Sequence, residues 1–246
     1  MERYIGLDPH GTSCTFGVIG PSGRKLRNDV VETNGKALVS YLRGIPGRKH
    51  LCLEEGTQSA WVHGLLEPHA EEVVVAMPEK RPKGAPKDDA RDAWELGEKL
   101  RVGAPMTRVY KGSQHMAALR NAVRAHCTLV GDVVRAKNRV RAVLRSRGVV
   151  ANAGVYNPKT RNEYLDQLSG SYRRLAACLC REVDELEVLR DEATAWLAKE
   201  AKTHPIIRKL CTAPGMGPIR AAVVVAVTAT PYRFRTVRQY WSYCGL

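Results

Sequence analysis

The sequence predicts an α/β domain over residues 1–110, a helical coiled-hairpin region over 111–203, and the start of a further domain over 204–246. Two observations carry most of this. Short apolar or alternating runs give way to helix-like spacing in a fixed order before residue 103, and a proline-free stretch of about 35 residues follows Ser113. A third observation, four carboxylates at the ends of those runs, gives the first domain a chemistry.

Residues 3–8, 14–20 and 25–33 read as strands, and Gly20-Pro21-Ser22-Gly23 between the last two is a strong turn signal. A helix is expected over 35–43, a strand over 50–54, a helix over 58–67, a strand over 73–77 and a helix over 88–101. Three strands, then helix, strand, helix, strand, helix is the element order of the ribonuclease-H-like (resolvase-like) α/β fold. In that fold the first and fourth strands are neighbours, so Asp8 and Glu54 are expected at adjacent carboxyl ends, the edge where ligands of open α/β sheets collect. Pro78 to Lys87 is basic and proline-punctuated, either a phosphate-contacting loop through Lys87 or a solvated one.

From Ser113, a plausible N-cap, to Gly148 one helix of roughly 50 Å is expected. Its apolar positions Met116, Leu119, Val123, Val130, Val133, Val140 and Leu144 recur by threes and fours, interrupted by His126 and Lys137. A second helix over 172–202 puts Leu175, Leu179, Val183, Leu186, Leu189, Ala193 and Trp196 on one stripe, which predicts an antiparallel coiled hairpin with a short helix near 158–168 in its connection.

The net charge of +14 favours a polyanionic partner, because most of the excess is concentrated. Residues 101–150 hold eleven basic residues against Asp132 alone. Of these, Arg120, Arg124, Arg135, Arg139, Arg141 and Arg145 lie largely off the helix seam, where they can meet phosphate through salt-dependent contacts. The second helix holds seven acids and three bases over 181–200, so pairing within the hairpin neutralises part of that face. Near Gly215 and Gly217, Pro214-Gly215-Met216-Gly217-Pro218 before an Ala/Val helix resembles a helix-hairpin-helix turn, whose backbone N–H groups approach a DNA phosphate. A tight helix connection without DNA is the competing reading.

Seven cysteines, odd in number and without a CxxC pair, suit a reduced intracellular chain. The seven histidines show no metal spacing and read as surface or packing residues. With no signal-like N-terminus and no apolar run long enough to span a bilayer, the protein is expected to be cytoplasmic, away from the membrane.

Asp8, Glu54, Asp89 and Asp92 are the candidate catalytic and metal-binding residues. Asp89 and Asp92 are three apart on one helical face. Like charges gathered beside a buried strand end disfavour full ionisation unless cations compensate. One or two Mg²⁺ ions would do so and would stabilise phosphate charge in displacement chemistry. Glu55 competes with Glu54, since strand alternation sends one of the pair toward the site and the other away. For Asp89 and Asp92 alone, helix capping is the simpler explanation.

These residues resemble the DEDD transposases of the insertion-sequence-110 family. The resemblance rests on Ile5-Gly6-Leu7-Asp8, Cys52-Leu53-Glu54-Glu55-Gly56-Thr57 with Trp61, Lys87-Asp88-Asp89-Ala90-Arg91-Asp92-Ala93, Lys137-Asn138-Arg139, Pro214 to Pro218, and Phe234-Arg235 with Tyr243 to Leu246. It implies a DNA transposase or recombinase whose four metal-binding acids are Asp8, Glu54, Asp89 and Asp92. It also implies homo-oligomers (dimer or tetramer), in some members a structured guide RNA, and a C-terminal serine domain whose nucleophile no serine here matches. On that resemblance the chain is expected to be C-terminally truncated and inactive alone. Two alternatives are a non-catalytic nucleic-acid-binding, dimerising remnant and, from Ile5 to Thr12, an actin-like kinase or ATPase.

Overall fold

The computed structural model describes residues 1–79, 88–112 and 116–245 and divides the chain into two compact units, Met1–Gln114 and His115–Leu246. The expected N-cap Ser113 and most of the basic loop ending at Lys87 lie outside the described residues.

The first unit is built on a five-stranded sheet of β1 (Glu2–Pro9), β2 (Ser13–Ile19), β3 (Lys25–Glu32), β4 (Arg48–Glu54) and β5 (Glu72–Ala76) in the order β3-β2-β1-β4-β5. β1 pairs antiparallel with β2, β2 antiparallel with β3, and β1–β4 and β4–β5 are parallel. Helices α1 (Gly35–Arg43), α2 (Ser59–Leu66) and α3 (Asp89–Val102) complete the unit.

Strand alternation sorts the two faces. Ile5, Leu7, Phe16, Leu51 and Leu53 are buried with Leu38, Leu42, Val62 and Leu66, on the side of α1 and α2. Gly6, Gly17 and Cys52 face α3, where Cys52, Val74 and Ala76 are buried with Leu96 and Leu100. Gly6 matters most here: a Cβ on it would sit 1.8 Å from the Ala93 carbonyl oxygen and 2.6 Å from the Gly97 nitrogen. The helix backbone therefore lies almost on the strand, which only glycine permits.

At the amino end of the sheet, His50 Nε2 lies 2.7 Å from Glu2 Oε2 and its Nδ1 3.0 Å from Glu72 Oε1. Burial works against the imidazolium, but the two carboxylates outweigh it and hold the His50 pKa above its ordinary 6.5. A raised folded-state pKa contributes stability that is complete below the unfolded value and lost as pH rises through the folded one. His50→Gln is therefore expected to cost about 1 kcal/mol near pH 5.5 and much less near pH 8.5 in urea denaturation. An equal cost at both pH values would refute the linkage.

In the second unit α4 (Ala117–Ser146) and α6 (Gly170–Lys202) run antiparallel, as the contacts Arg139–Glu182, Lys137–Glu187 and His126–Thr194 show. The short α5 (Asn162–Leu165) lies between them in sequence, and α7 (Pro205–Leu210), α8 (Pro218–Thr228) and α9 (Val237–Tyr243) follow. One core joins Ala136, Val140 and Leu144 to Leu165, Ala176, Cys180 and Val183, and another joins Leu119 and Ala122 to Leu197, Ile207, Ala221 and Ala222.

The stripe expected on α6 is buried in part: Val183 and Ala193 are buried, and Leu179 and Leu186 pack partly buried against the core. Leu175, Leu189 and Trp196 stand 49%, 46% and 41% exposed, whereas Ala176, Cys180 and Leu197, off the expected stripe, are buried. Small residues there let the helix backbones approach, so the contact line shifts by one residue from the large apolar positions. Among the described residues none is buried between Val123 and Val133 on α4 or between Val183 and Ala193 on α6. No described helix is long and apolar enough to cross a membrane.

Candidate metal centre

Asp8 follows Leu7, the last β1 residue in register with β4, and Glu54 follows its partner Leu53. By alternation both carry the parity of Gly6 and Cys52, the face covered by α3. Asp88 caps α3, its side chain accepting from Ala90 N–H at 3.0 Å and Arg91 N–H at 3.2 Å. Helix capping thus falls to Asp88, and Asp89 turns to the strand end. There His10 Nε2 lies 3.1 Å from Asp8 Oδ2 and 3.3 Å from Asp89 Oδ1.

Asp8, His10 and Asp89 each offer one ligand atom, all within 4.8 Å of one another. Burial holds the Asp8 carboxyl above its ordinary pKa, the His10 ring pulls it down, and Asp89 and then Asp92 push it up. Asp92 thus lies within electrostatic reach of Asp8 but outside that tight group. Glu54, half-buried, is outside it too, although its charge helps raise the Cys52 thiol, which burial chiefly pushes to about 11.

Glu55 goes the other way. Its carboxylate meets Ser59 Oγ at 3.0 Å and the Lys111 ammonium, on the α2 side of the sheet. Of the two glutamates, Glu54 is the one whose parity directs it to α3.

His10 is the residue that the sequence reading passed over as surface or packing. The signal was its spacing: two positions beyond Asp8, it returns to the same side of an extended chain.

The basic candidates divide. Arg139 bonds Glu182 at 2.7 Å, Arg135 pairs with Asp132, and Arg141 lies over the Tyr156 ring with its guanidinium carbon 5.6 Å from the centroid. Arg124, Arg141 and Arg145 are exposed and Arg120 is half-buried. Gly215 has a positive φ of 76°, and a Cβ on either Gly215 or Gly217 would meet nothing within 4 Å, so this turn presents open backbone ahead of α8. Lys87 lies outside the described residues.

Residues 5–147 match a DEDD transposase model of the IS110 family, and residues 207–246 match a model described as Transposase IS116/IS110/IS902 family. No curated protein matches the chain significantly. The first match alone spans more than half of the sequence and contains every candidate acid, so the chain belongs to the IS110 family of DEDD transposases.

Proposed function

We propose that this chain acts on DNA by divalent-metal-assisted phosphoryl transfer, holding Mg²⁺ through Asp8 and Asp89, with Glu54 and Asp92 completing the acid set. The observation that carries the reading is the meeting of Asp8 and Asp89 at the carboxyl end of the central strand, bridged by His10. The strand order β3-β2-β1-β4-β5, antiparallel on one side of β1 and parallel on the other, supports it as the arrangement of ribonuclease-H-like sheets.

The donor set fits the ion. Carboxylate oxygens suit hard cations such as Mg²⁺ and Mn²⁺. A second ion, on Glu54 and Asp92, is the fuller form of the proposal. When bound, the cation supplies positive charge to phosphate oxygens on which negative charge grows during displacement.

The chain's own residues do the rest. Asp8 is fixed by the β1 ladder, and Asp88 rather than Asp89 caps α3. The His10 ring holds the two carboxylates together. Arg120, Arg124, Arg141 and Arg145, with the Gly215–Gly217 turn, are the proposed phosphate contacts, and Arg135 and Arg139 join them by exchanging their acidic partners for phosphate. Homo-oligomerisation through the half-exposed Val130, Val134, Leu189 and Trp196 belongs to the same proposal. A monomer in sedimentation velocity at micromolar concentration would remove that part.

Calorimetric titration of Mg²⁺ and Mn²⁺ tests the centre. Binding by the wild type that is lost in Asp89→Asn is the expected result, and identical isotherms refute it. Anisotropy with branched DNA between about 50 and 200 mM salt tests the partner: the paired change Arg124→Ala with Arg145→Ala is expected to lower the log–log salt slope by about 2. Structured RNA as competitor reads whether a guide RNA shares this face.

A further inference from the structure

We infer that Lys111 is a positioning residue for the metal centre, acting through Glu55 to hold the turn that carries Glu54. The inference rests on the metal reading above and adds to it a part of the molecule that contributes no ligand.

After α3 the chain returns along the sheet edge. Met77 N–H donates to the Thr107 carbonyl at 2.8 Å, Val109 N–H donates to the Val75 carbonyl at 2.7 Å, and Ala76 and Arg108 form an antiparallel bridge, so residues 107–109 extend the sheet beyond β5. Val109 packs into the core on the α1 and α2 side. Lys111, two residues on, shares that parity, and its side chain is only 11% exposed.

The ammonium there meets two partners, the Glu55 carboxylate and Ser59 Oγ, the latter at 2.8 Å. Ser59 is fully buried, and its hydroxyl lies 3.0 Å from Glu55 Oε2 and 2.8 Å from the Gly56 carbonyl. Glu55 N–H also donates to the Ala76 carbonyl at 2.7 Å, continuing the ladder one residue past β4. Every residue of the turn from Glu55 to Ser59 that makes these bonds is therefore tied to one cation.

The arrangement bears directly on Glu54. Two adjacent carboxylates leave β4 on opposite faces by strand alternation, and Lys111 is what meets Glu55 on its face. With the ammonium gone, Glu55 keeps a half-buried charge beside a buried hydroxyl and moves toward water, carrying the turn and Glu54 with it. Groups that orient a metal ligand without touching the metal typically change affinity by about 10- to 100-fold.

The experiment compares wild type, Lys111→Met, Lys111→Arg, Glu55→Gln and Val109→Ala by calorimetry with MgCl₂ alone, together with amide hydrogen exchange on the metal-free proteins. Lys111→Met is expected to weaken Mg²⁺ binding about tenfold or more and to speed exchange at Glu55. Lys111→Arg is expected to restore most of both. Combining Lys111→Met with Glu55→Gln is expected to cost no more than Lys111→Met alone, because the two act through one link. Val109→Ala loosens the same strap without removing the charge, and is expected to lower the unfolding midpoint while leaving affinity within about twofold.

Wild-type affinity in a folded Lys111→Met protein overturns this inference and leaves the metal reading intact. Absence of Mg²⁺ binding by the wild type overturns the metal reading itself. Should Lys111→Met fail to fold, Glu55→Gln decides: unchanged affinity there overturns the inference.

Discussion

Replacing Gly6 by alanine is expected to be among the most damaging single-methyl additions in this protein. The new Cβ would lie 1.8 Å from the Ala93 carbonyl oxygen, 2.6 Å from the Gly97 nitrogen and 2.8 Å from the Ala93 carbonyl carbon. All three are backbone atoms of α3, so no rotamer change relieves the clash and the helix must lift. Lifting it uncovers Cys52, Val74 and Ala76, which Leu96 and Leu100 now cover. A loss of about 3 kcal/mol or more is expected in chemical denaturation, at the upper end for overpacking because backbone must move. Asp89 and Asp92 ride on the same helix, so Mg²⁺ binding should fall with it. Gly56→Ala, where a Cβ meets nothing within 4 Å, is the control and should change stability little. A Gly6→Ala protein as stable as this control would mean that α3 does not dock as described.

Asp8→Asn is expected to separate stability from function. In the wild type the carboxylate is only 15% exposed, and burial together with Asp89 and Asp92 disfavours its charge more than the His10 ring compensates. Removing the charge while keeping the shape should therefore raise metal-free stability at neutral pH. The same change removes an anionic ligand, so the stabilisation that Mg²⁺ gives the wild type by binding only the folded state should disappear. Thermal unfolding with and without MgCl₂ reads both effects. A variant less stable than wild type without metal, yet still stabilised by it, would contradict the account of Asp8 on both counts.

The strands of the first unit were legible because Ile5-Gly6-Leu7 and Leu51-Cys52-Leu53 are short apolar runs, as strands covered on both faces are. The approach of Asp8 to Asp89 was foreseen in outline, from strand order and from the carboxyl-end rule. The choice between Glu54 and Glu55 was not, because it depends on register and on Lys111, which arrives from a strap that has no periodicity of its own. His10 escaped because its one signal, a position two residues past Asp8, is not repeated anywhere else in the chain as a helix or strand pattern would be. Capping by Asp88 rather than Asp89 hinges on one residue of helix phase, finer than propensity resolves. On α6 some of the large apolar residues misled, since the close contact selected Ala176 and Cys180 over Leu175, and Leu197 over Trp196. Hydrophobicity ranks candidates for burial, but backbone separation decides among them.

The interval between the two cores of the α4–α6 pair has a mechanical consequence. Each end of the pair is clamped by its own cluster of side chains, while the interval between them is bridged by the polar contact of His126 with Thr194. Such a rod has stiff ends and a pliant waist. Fluctuations that cost little free energy gather where little apolar surface is sequestered. Flexing of the two long helices is thus expected to gather in that stretch rather than within either core.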